Sequence, residues 1–168
     1  ILSRPGYALA MLRQKHSKLA NAIDPASIER LPGSYVDPAF HQHHTDLLFR
    51  MNLRGRKALL YLLFEHQSTV DPELPLRLLL YIAAIWKKWL ADNPGKKLPP
   101  VIPLVLHQGP KRWSGPRKLA DMLDWSRRTR DMVGGHVPAF EFLLDDLGPE
   151  PSSHVQGRDA PALVRILL

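Results

Sequence analysis

Two carboxylates and one amide lie at the ends of two apolar segments. Asp46 directly precedes "LLFRM", and Glu65 and Gln67 follow "ALLYLLF" in the stretch "FEHQS". Two carboxylates a few ångströms apart repel each other unless a cation lies between them. Hard divalent cations bind carboxylate oxygens, and Mg²⁺ takes one or two from protein and the others from water and phosphate. If folding brings Asp46 and Glu65 together beside a basic surface, the chemistry indicated is metal-assisted phosphodiester hydrolysis. The alternative is that both carboxylates are strand-end charges in solvent.

A β-hairpin would bring these residues together. The two apolar segments have the pattern of strands, and they are joined through "NLRGRK". We predict a two-residue type II′ turn at Gly55-Arg56, in which opposed residues have numbers that sum to about 111. This register places Asp46 opposite Glu65. Strand alternation then puts Gln67 on the same face as Glu65.

The remaining segments predict the elements that surround this hairpin. Segment 7–23 has helical periodicity, and segment 71–95 predicts a long helix with Asp71 as its N-cap. Segment 101–109 reads as a buried strand, in which Pro103 favours an edge position or a bulge. A strand, a helix and a strand in this order form a crossover onto one sheet. Shorter patterns indicate a strand over 26–31, a helix over 115–124, and a strand or helix over 140–147.

The composition is that of a globular domain with a basic imbalance. Hydrophobic residues make up 45% of the 168 residues, charged residues 23%, and the net charge is +7. Segment 111–130 holds seven Lys or Arg against two Asp, which gives it a net charge of +5. A basic lobe favours a polyanion such as DNA as partner, although a solvated basic face has the same composition.

The sequence lacks cysteine and has no segment typical of a membrane span. Disulfides and thiolate metal sites are therefore excluded, and the apolar runs are interrupted well before the roughly 20 residues that a membrane requires. We expect a cytoplasmic protein without a membrane segment. The length suits one domain over residues 1–168. Because the chain starts at Ile1, we expect this domain to be truncated at its N-terminus. Segment 160–168 has the pattern of the start of a truncated helix.

A histidine cluster offers a rival metal site. The stretch "HQHH" occupies 41–44, and His41 and His43 would share one strand face. No further nearby ligand completes a zinc tetrahedron, so surface histidines are the better interpretation. A zinc-dependent regulator that uses His43 is the third functional alternative. His44 would lie opposite Gln67 in the predicted register, where it could contact substrate.

Other side chains have both a structural and a functional interpretation. Arg77 lies among apolar residues, where it could pair with the site carboxylates or a phosphate, or extend its charged end to solvent. Trp113 lies in "KRWSGPRK", where it could stack on a base or cover the core. Trp86 and Trp89 are most simply helix-packing residues.

The sequence resembles a known nuclease family. The stretches that carry the resemblance are "GSYVDPAFHQHHTDLLFRM", "ALLYLLFEHQSTVDPELPLRLLLYIAAIW" and "LPPVIPLVLHQG", and its most specific part is "TDLLF" with "EHQS". They resemble the Rpn group of recombination-promoting nucleases, within the PD-(D/E)XK nuclease superfamily. The resemblance covers roughly residues 26–147. It implies a core made of a helix, a three-strand meander, a crossover helix and a further strand.

The resemblance also assigns roles to the hairpin residues. It implies that Asp46 and Glu65 bind the metal ion, and that Gln67 replaces the lysine found in most superfamily members. A lysine would stabilise developing negative charge, whereas the Gln67 amide can only orient water or phosphate by hydrogen bonds. A further acidic ligand is expected near the first strand, where Glu29 and Asp37 are the candidates.

We therefore predict an α/β restriction-endonuclease-like fold with an αβββαβ core and a mixed sheet flanked by helices. The predicted function is a DNA endonuclease dependent on Mg²⁺ or Mn²⁺, with catalytic residues Asp46, Glu65 and Gln67. The alternative is a nuclease-fold protein that binds DNA or a partner with little or no cleavage. A homodimer is expected by analogy. The predicted phosphate contacts are Arg77, Lys111, Arg112, Arg117 and Lys118.

Overall fold

The computed structural model describes residues 5–32, 47–65 and 70–148. Four α-helices and five strands are formed in these ranges. The helices are α1 (Pro5–Lys15), α2 (Ser17–Asn21), α3 (Leu74–Asp92) and α4 (Arg127–Val133). The strands are β1 (Glu29–Arg30), β2 (Leu47–Leu53), β3 (Arg56–Glu65), β4 (Val101–His107) and β5 (Leu143–Asp146).

The five strands form one mixed sheet in the order β1-β2-β3-β4-β5. β1, β2 and β3 are antiparallel neighbours, whereas β3, β4 and β5 run parallel. The connection from β3 through α3 to β4 is therefore a crossover between parallel strands, as the sequence predicts. A mixed sheet flanked by helices confirms the α/β, restriction-endonuclease-like fold class.

Helices cover both faces of the sheet. Side chains alternate along each strand, so Phe49 and Leu60 lie on one face and pack with α1 and α2 in one apolar cluster. Tyr61 and Leu63 lie on the other face and pack with α3 and with Phe142, which directly precedes β5. Because both faces are buried, β3 reads as a nearly continuous apolar run.

The register of the β2–β3 hairpin differs from the prediction. Leu47 pairs with Leu62 and Leu53 pairs with Arg56, so the numbers of opposed residues sum to about 109 rather than 111. The central turn residues are Arg54 and Gly55, with φ of 48° and 76°. Two positive φ values define a type I′ turn, whose twist matches the strands, in place of the predicted type II′ turn. The shift is two residues, so the predicted partition between the two faces is confirmed for the side chains of β2 and β3 that the structure describes.

We expect substitutions in this turn to change stability in opposite directions. Gly55→Ala should lower the free energy of unfolding by about 1–2 kcal/mol, because a Cβ is unfavourable at positive φ. Arg54→Asn should raise it by up to about 1 kcal/mol, since Asn tolerates positive φ and Asn-Gly suits a type I′ turn. Urea unfolding followed by circular dichroism measures both values. Equal stability of the two variants would contradict the observed turn type.

Several element boundaries differ from the predictions. The helical segment 7–23 is divided at His16 into α1 and α2, and the strand predicted over 26–31 is reduced to β1. Segment 140–147 contributes the strand β5, and 115–124 forms only a 3₁₀-helix at Leu119–Met122. The helix predicted at 160–168 lies outside the described residues.

Strand β4 accommodates Pro103 without a bulge. β5 pairs only with residues Leu104 to His107 of β4, so Pro103 has β3 as its neighbour on one side and lies beyond the end of β5 on the other. This half of β4 is therefore an edge, where a residue without an N–H group is tolerated. None of the helices in the described ranges is both long enough and apolar enough to cross a membrane.

Candidate functional site

The carboxyl ends of three parallel strands meet at one edge of the sheet. Glu65 pairs with His107 across β3 and β4, and His107 pairs with Asp146 across β4 and β5. These three residues form one row across the sheet. Alternation places the row on the face of Leu63 and Val105, which α3 covers. β2 runs antiparallel to β3, so the amino end of β2 lies at the same edge.

The predicted catalytic residues are only partly described. Glu65 is the last residue of β3, where its backbone position is defined. Asp46 and Gln67 lie outside the described residues, as do Asp37 and the histidine cluster 41–44. The pairing of Asp46 with Glu65 relied on the register that is wrong by two residues. Their roles remain predictions.

Glu29 lies far from this edge. It occupies β1, pairs with Arg50 of β2 in the sheet register and forms an ion pair with that residue's guanidinium. Arg50 in turn pairs with Leu59 of β3. Leu59 is six residues before Glu65, which corresponds to about 20 Å along an extended strand. The structure therefore does not bring Glu29 to the row that contains Glu65.

Arg77 lies in the first turn of α3, near the edge where β3 ends. Its Nη1 is 2.8 Å from Oδ2 of Asp71, and both side chains are largely buried. The other oxygen of Asp71 accepts a hydrogen bond from the backbone N–H of Glu73 at 2.8 Å. The N-cap role predicted for Asp71 is wrong, because α3 begins at Leu74 and Glu73 is its N-cap residue. Asp71 instead accepts a hydrogen bond just before the helix and forms an ion pair that the sequence did not predict.

Three hydrogen-bond contacts hold the loop that follows β4 against the carboxyl ends of β4 and β5. The Nε2 atom of His107 lies 3.2 Å from the carbonyl oxygen of Lys111. The Arg112 side chain donates a hydrogen bond to the backbone carbonyl of Asp146, at 3.2 Å. The backbone N–H of Trp113 donates to the Asp146 carboxylate at 2.9 Å. Lys111 and Arg112 consequently lie close to the row.

Trp113 covers the end of the apolar core. Its ring makes edge-to-face contacts with His107 and Phe142, with centroids 5.2 Å and 5.8 Å apart. Its indole N–H donates to the carbonyl of Gly115 at 2.9 Å. A Cβ on Gly115 would lie 2.5 Å from Val70, so this loop lies directly against the segment that leads into α3. The core interpretation of Trp113 is therefore the one that the structure supports.

The other predicted phosphate contacts lie further from the row. Arg117 and Lys118 both form ion pairs with Glu141, at 3.1 Å and 3.9 Å. Glu141 precedes β5 and lies five residues before Asp146, about 16 Å away in extended chain. The exposed arginines of α4 carry further positive charge; they are Arg127, Arg128 and Arg130.

His107 and Asp146 lie in the row with Glu65, and the sequence interpretation did not include them. The side chain of His107 is 1% exposed, and its Nδ1 has no hydrogen-bond partner among the described residues. The carboxylate of Asp146 accepts from the backbone N–H groups of Trp113 and Gly148. The sequence did contain a signal for His107. The predicted crossover made its strand a parallel neighbour of β3, and an apolar strand that ends in His then places that residue beside Glu65.

The described side chains do not form a metal site by themselves. Within residues 5–32, 47–65 and 70–148, no group of three or more His, Asp or Glu side chains could hold a metal ion. A metal ion at this edge would need ligands such as Asp46 in addition. The buried, unpartnered nitrogen of His107 is a donor of the kind that fits a divalent transition metal ion.

Comparison with known proteins identifies a family for the entire chain and individual relatives for parts of it. A family model described as "Putative transposase, YhgA-like" matches residues 1–168. The recombination-promoting nuclease RpnC of Escherichia coli K12 is 35% identical over 93 residues, which are 55% of this chain and 30% of RpnC. RpnD of E. coli O157:H7 is 29% identical over 99 residues, 57% of this chain and 38% of RpnD.

A further relative has a different description. The "inactive recombination-promoting nuclease-like protein RpnE" of E. coli K12 is 24% identical over 137 residues, 81% of this chain and 44% of RpnE. The aligned regions thus cover less than half of each of these relatives. No solved structure matches the chain.

Proposed function

Since the chain belongs to the YhgA-like transposase family, whose relatives include Rpn nucleases, we propose that it hydrolyses DNA phosphodiester bonds with a divalent metal ion. The observation that carries the proposal is the position of Glu65, at the carboxyl end of the central strand β3. The amino end of β2 lies at this same edge, and the residue that precedes β2 is Asp46.

The observed register is compatible with a pair of carboxylates. If the pairing of Leu47 with Leu62 continues by one residue, Asp46 lies opposite Leu63 and diagonal to Glu65. Diagonal neighbours on one face of a sheet are within reach of long side chains. Asp46 and Glu65 would thus supply carboxylate oxygens to Mg²⁺ or Mn²⁺. When bound, the ion would polarise the scissile phosphate and activate water.

The remaining residues of the chain would bind and orient the substrate. The Gln67 amide would donate a hydrogen bond to a phosphate oxygen or hold the attacking water, without supplying charge. Lys111 and Arg112 lie on the loop beside the row, so their charges would attract the DNA backbone without reading its sequence. The cytoplasmic location and the homodimer remain predictions.

A nuclease-fold protein with little or no cleavage is the second candidate. One observation favours it, because the relative RpnE is named as inactive. The resemblance places Gln67 where most superfamily members have a lysine that stabilises negative charge; this difference is compatible with slow cleavage and does not by itself mean inactivity. In this case the basic surface would still bind DNA in a manner that depends on salt.

Incubation of the purified protein with supercoiled plasmid separates the two candidates. Hydrolysis predicts nicked or linear DNA with Mg²⁺ or Mn²⁺, no product with excess chelator, and loss of the product in Asp46→Ala. Salt-dependent DNA binding without any cleavage under these conditions would favour the second candidate. Equal cleavage by the wild type and Asp46→Ala would reject the proposed site.

A further inference from the structure

His107 occupies the central position of the row at the carboxyl edge. Its sheet partners are Glu65 on β3 and Asp146 on β5, and alternation places all three residues on the face that α3 covers. Neighbouring strands are about 4.8 Å apart, so the His107 ring lies beside the position of Glu65. The ring is almost completely buried, at 1% exposure.

The hydrogen bond of His107 fixes which ring nitrogen carries the proton. Nε2 lies 3.2 Å from the carbonyl oxygen of Lys111, and a carbonyl oxygen can only accept. Nε2 is therefore the donor, and in a neutral imidazole Nδ1 carries the lone pair. The edge-to-face contact with Trp113 further restricts the ring.

The lone pair on Nδ1 is buried without a hydrogen-bond partner among the described residues. Such an acceptor lowers the stability of the fold if it stays unsatisfied. The neighbouring carboxylate of Asp146 is itself an acceptor of the backbone N–H groups of Trp113 and Gly148. Because a carboxylate can only accept hydrogen bonds, it cannot satisfy the lone pair of His107 Nδ1. A cation bound beside Glu65 would do so.

We propose that Nδ1 of His107 is a nitrogen ligand of the divalent metal ion bound at Glu65. The inference builds on the proposed function and adds a ligand to that site. Metal-binding histidines commonly donate their other ring N–H to a backbone carbonyl, which orients the ring and raises the basicity of the ligand. Nε2 of His107 makes this bond with the carbonyl of Lys111.

A nitrogen ligand changes which metal ion the site prefers. Mg²⁺ is bound almost entirely by oxygen ligands, whereas imidazole nitrogen suits later divalent metals, whose affinity rises from Mn²⁺ towards Co²⁺ and beyond. The site of this chain is therefore a mixed nitrogen and oxygen site that favours Mn²⁺ or Co²⁺ over Mg²⁺.

Calorimetric titration of the purified protein with Mn²⁺, Co²⁺ and Mg²⁺ tests the assignment without an activity assay. His107→Phe keeps an aromatic ring against Trp113 and removes the lone pair. We expect it to weaken Mn²⁺ and Co²⁺ binding at least about tenfold and Mg²⁺ binding much less. His136→Phe is the matched control, because His136 is exposed in a 3₁₀-helix and is not part of the row. It should bind all three ions as the wild type does.

A second variant covers the case in which His107→Phe does not fold. His107→Asn places an amide group near the position of Nδ1, so it should retain Mg²⁺ binding and lose the preference for Mn²⁺ and Co²⁺. Unchanged metal selectivity in the folded variants would overturn the inference, and the proposed nuclease would stand if Asp46→Ala still abolishes cleavage. A wild-type protein that binds no divalent ion would overturn both.

Discussion

Glu65→Gln is expected to lower the rate of plasmid cleavage by at least about a hundredfold, since loss of metal-ion catalysis removes several kcal/mol of transition-state stabilisation. The substitution keeps the size of the side chain at the end of β3 and removes its negative charge. Supercoiled plasmid with Mn²⁺ provides the substrate, and the initial rate of nicking is the measured quantity. Mn²⁺ affinity, determined on the same protein, should fall in parallel.

Glu29→Gln provides the matched control for this experiment. Glu29 has the same side chain, but it is paired with Arg50 in the β1–β2 part of the sheet and lies about 20 Å along the strand direction from Glu65. Loss of an exposed ion pair costs at most about 1 kcal/mol of stability. Glu29→Gln should therefore cleave as fast as the wild type. Similar rates for both variants would show that Glu65 has no special role in cleavage.

The sequence predicted the hairpin faces and missed the hairpin register for separate physical reasons. Alternation depends only on whether a residue number is odd or even, so Phe49 and Leu60 were assigned to one face independently of the turn. The register depends on the turn type. That type follows from a positive φ at Arg54, a conformation that residues other than Gly, Asn and Asp seldom adopt. No residue in "LRGRK" indicates that Arg54 adopts a positive φ.

The sequence predicted those parts of the candidate site that lie on a single strand. The end of β3 was identified from its apolar residues and from Glu65, which follows them. The predicted crossover already made β4 a parallel neighbour of β3, but placing His107 beside Glu65 also required the register of these two strands. The pairing of Arg77 with Asp71 depends on how the chain turns into α3, which no periodicity reveals. The registers and side-chain pairings between elements were thus less predictable than the elements and their order.

Trp113→Ala is expected to lower the free energy of unfolding by about 3 kcal/mol, at the low end for Trp→Ala because the ring is only partly buried. The variant loses the ring contacts with His107 and Phe142 and the hydrogen bond to Gly115. Urea unfolding measures this loss. Since the loop that carries Lys111 then loses its anchor beside His107, Mn²⁺ binding should also weaken.

Trp86→Ala separates the general loss of stability from the effect on the site. Its indole N–H donates to the carbonyl of Pro99 at 2.8 Å, and the ring is also partly buried. Trp86 lies in the second half of α3, which leads away from the carboxyl edge towards the start of β4. This variant should lose stability and retain Mn²⁺ affinity. Because both variants remove one indole and one hydrogen bond, a selective loss of metal binding in Trp113→Ala would tie the loop over His107 to the metal ion.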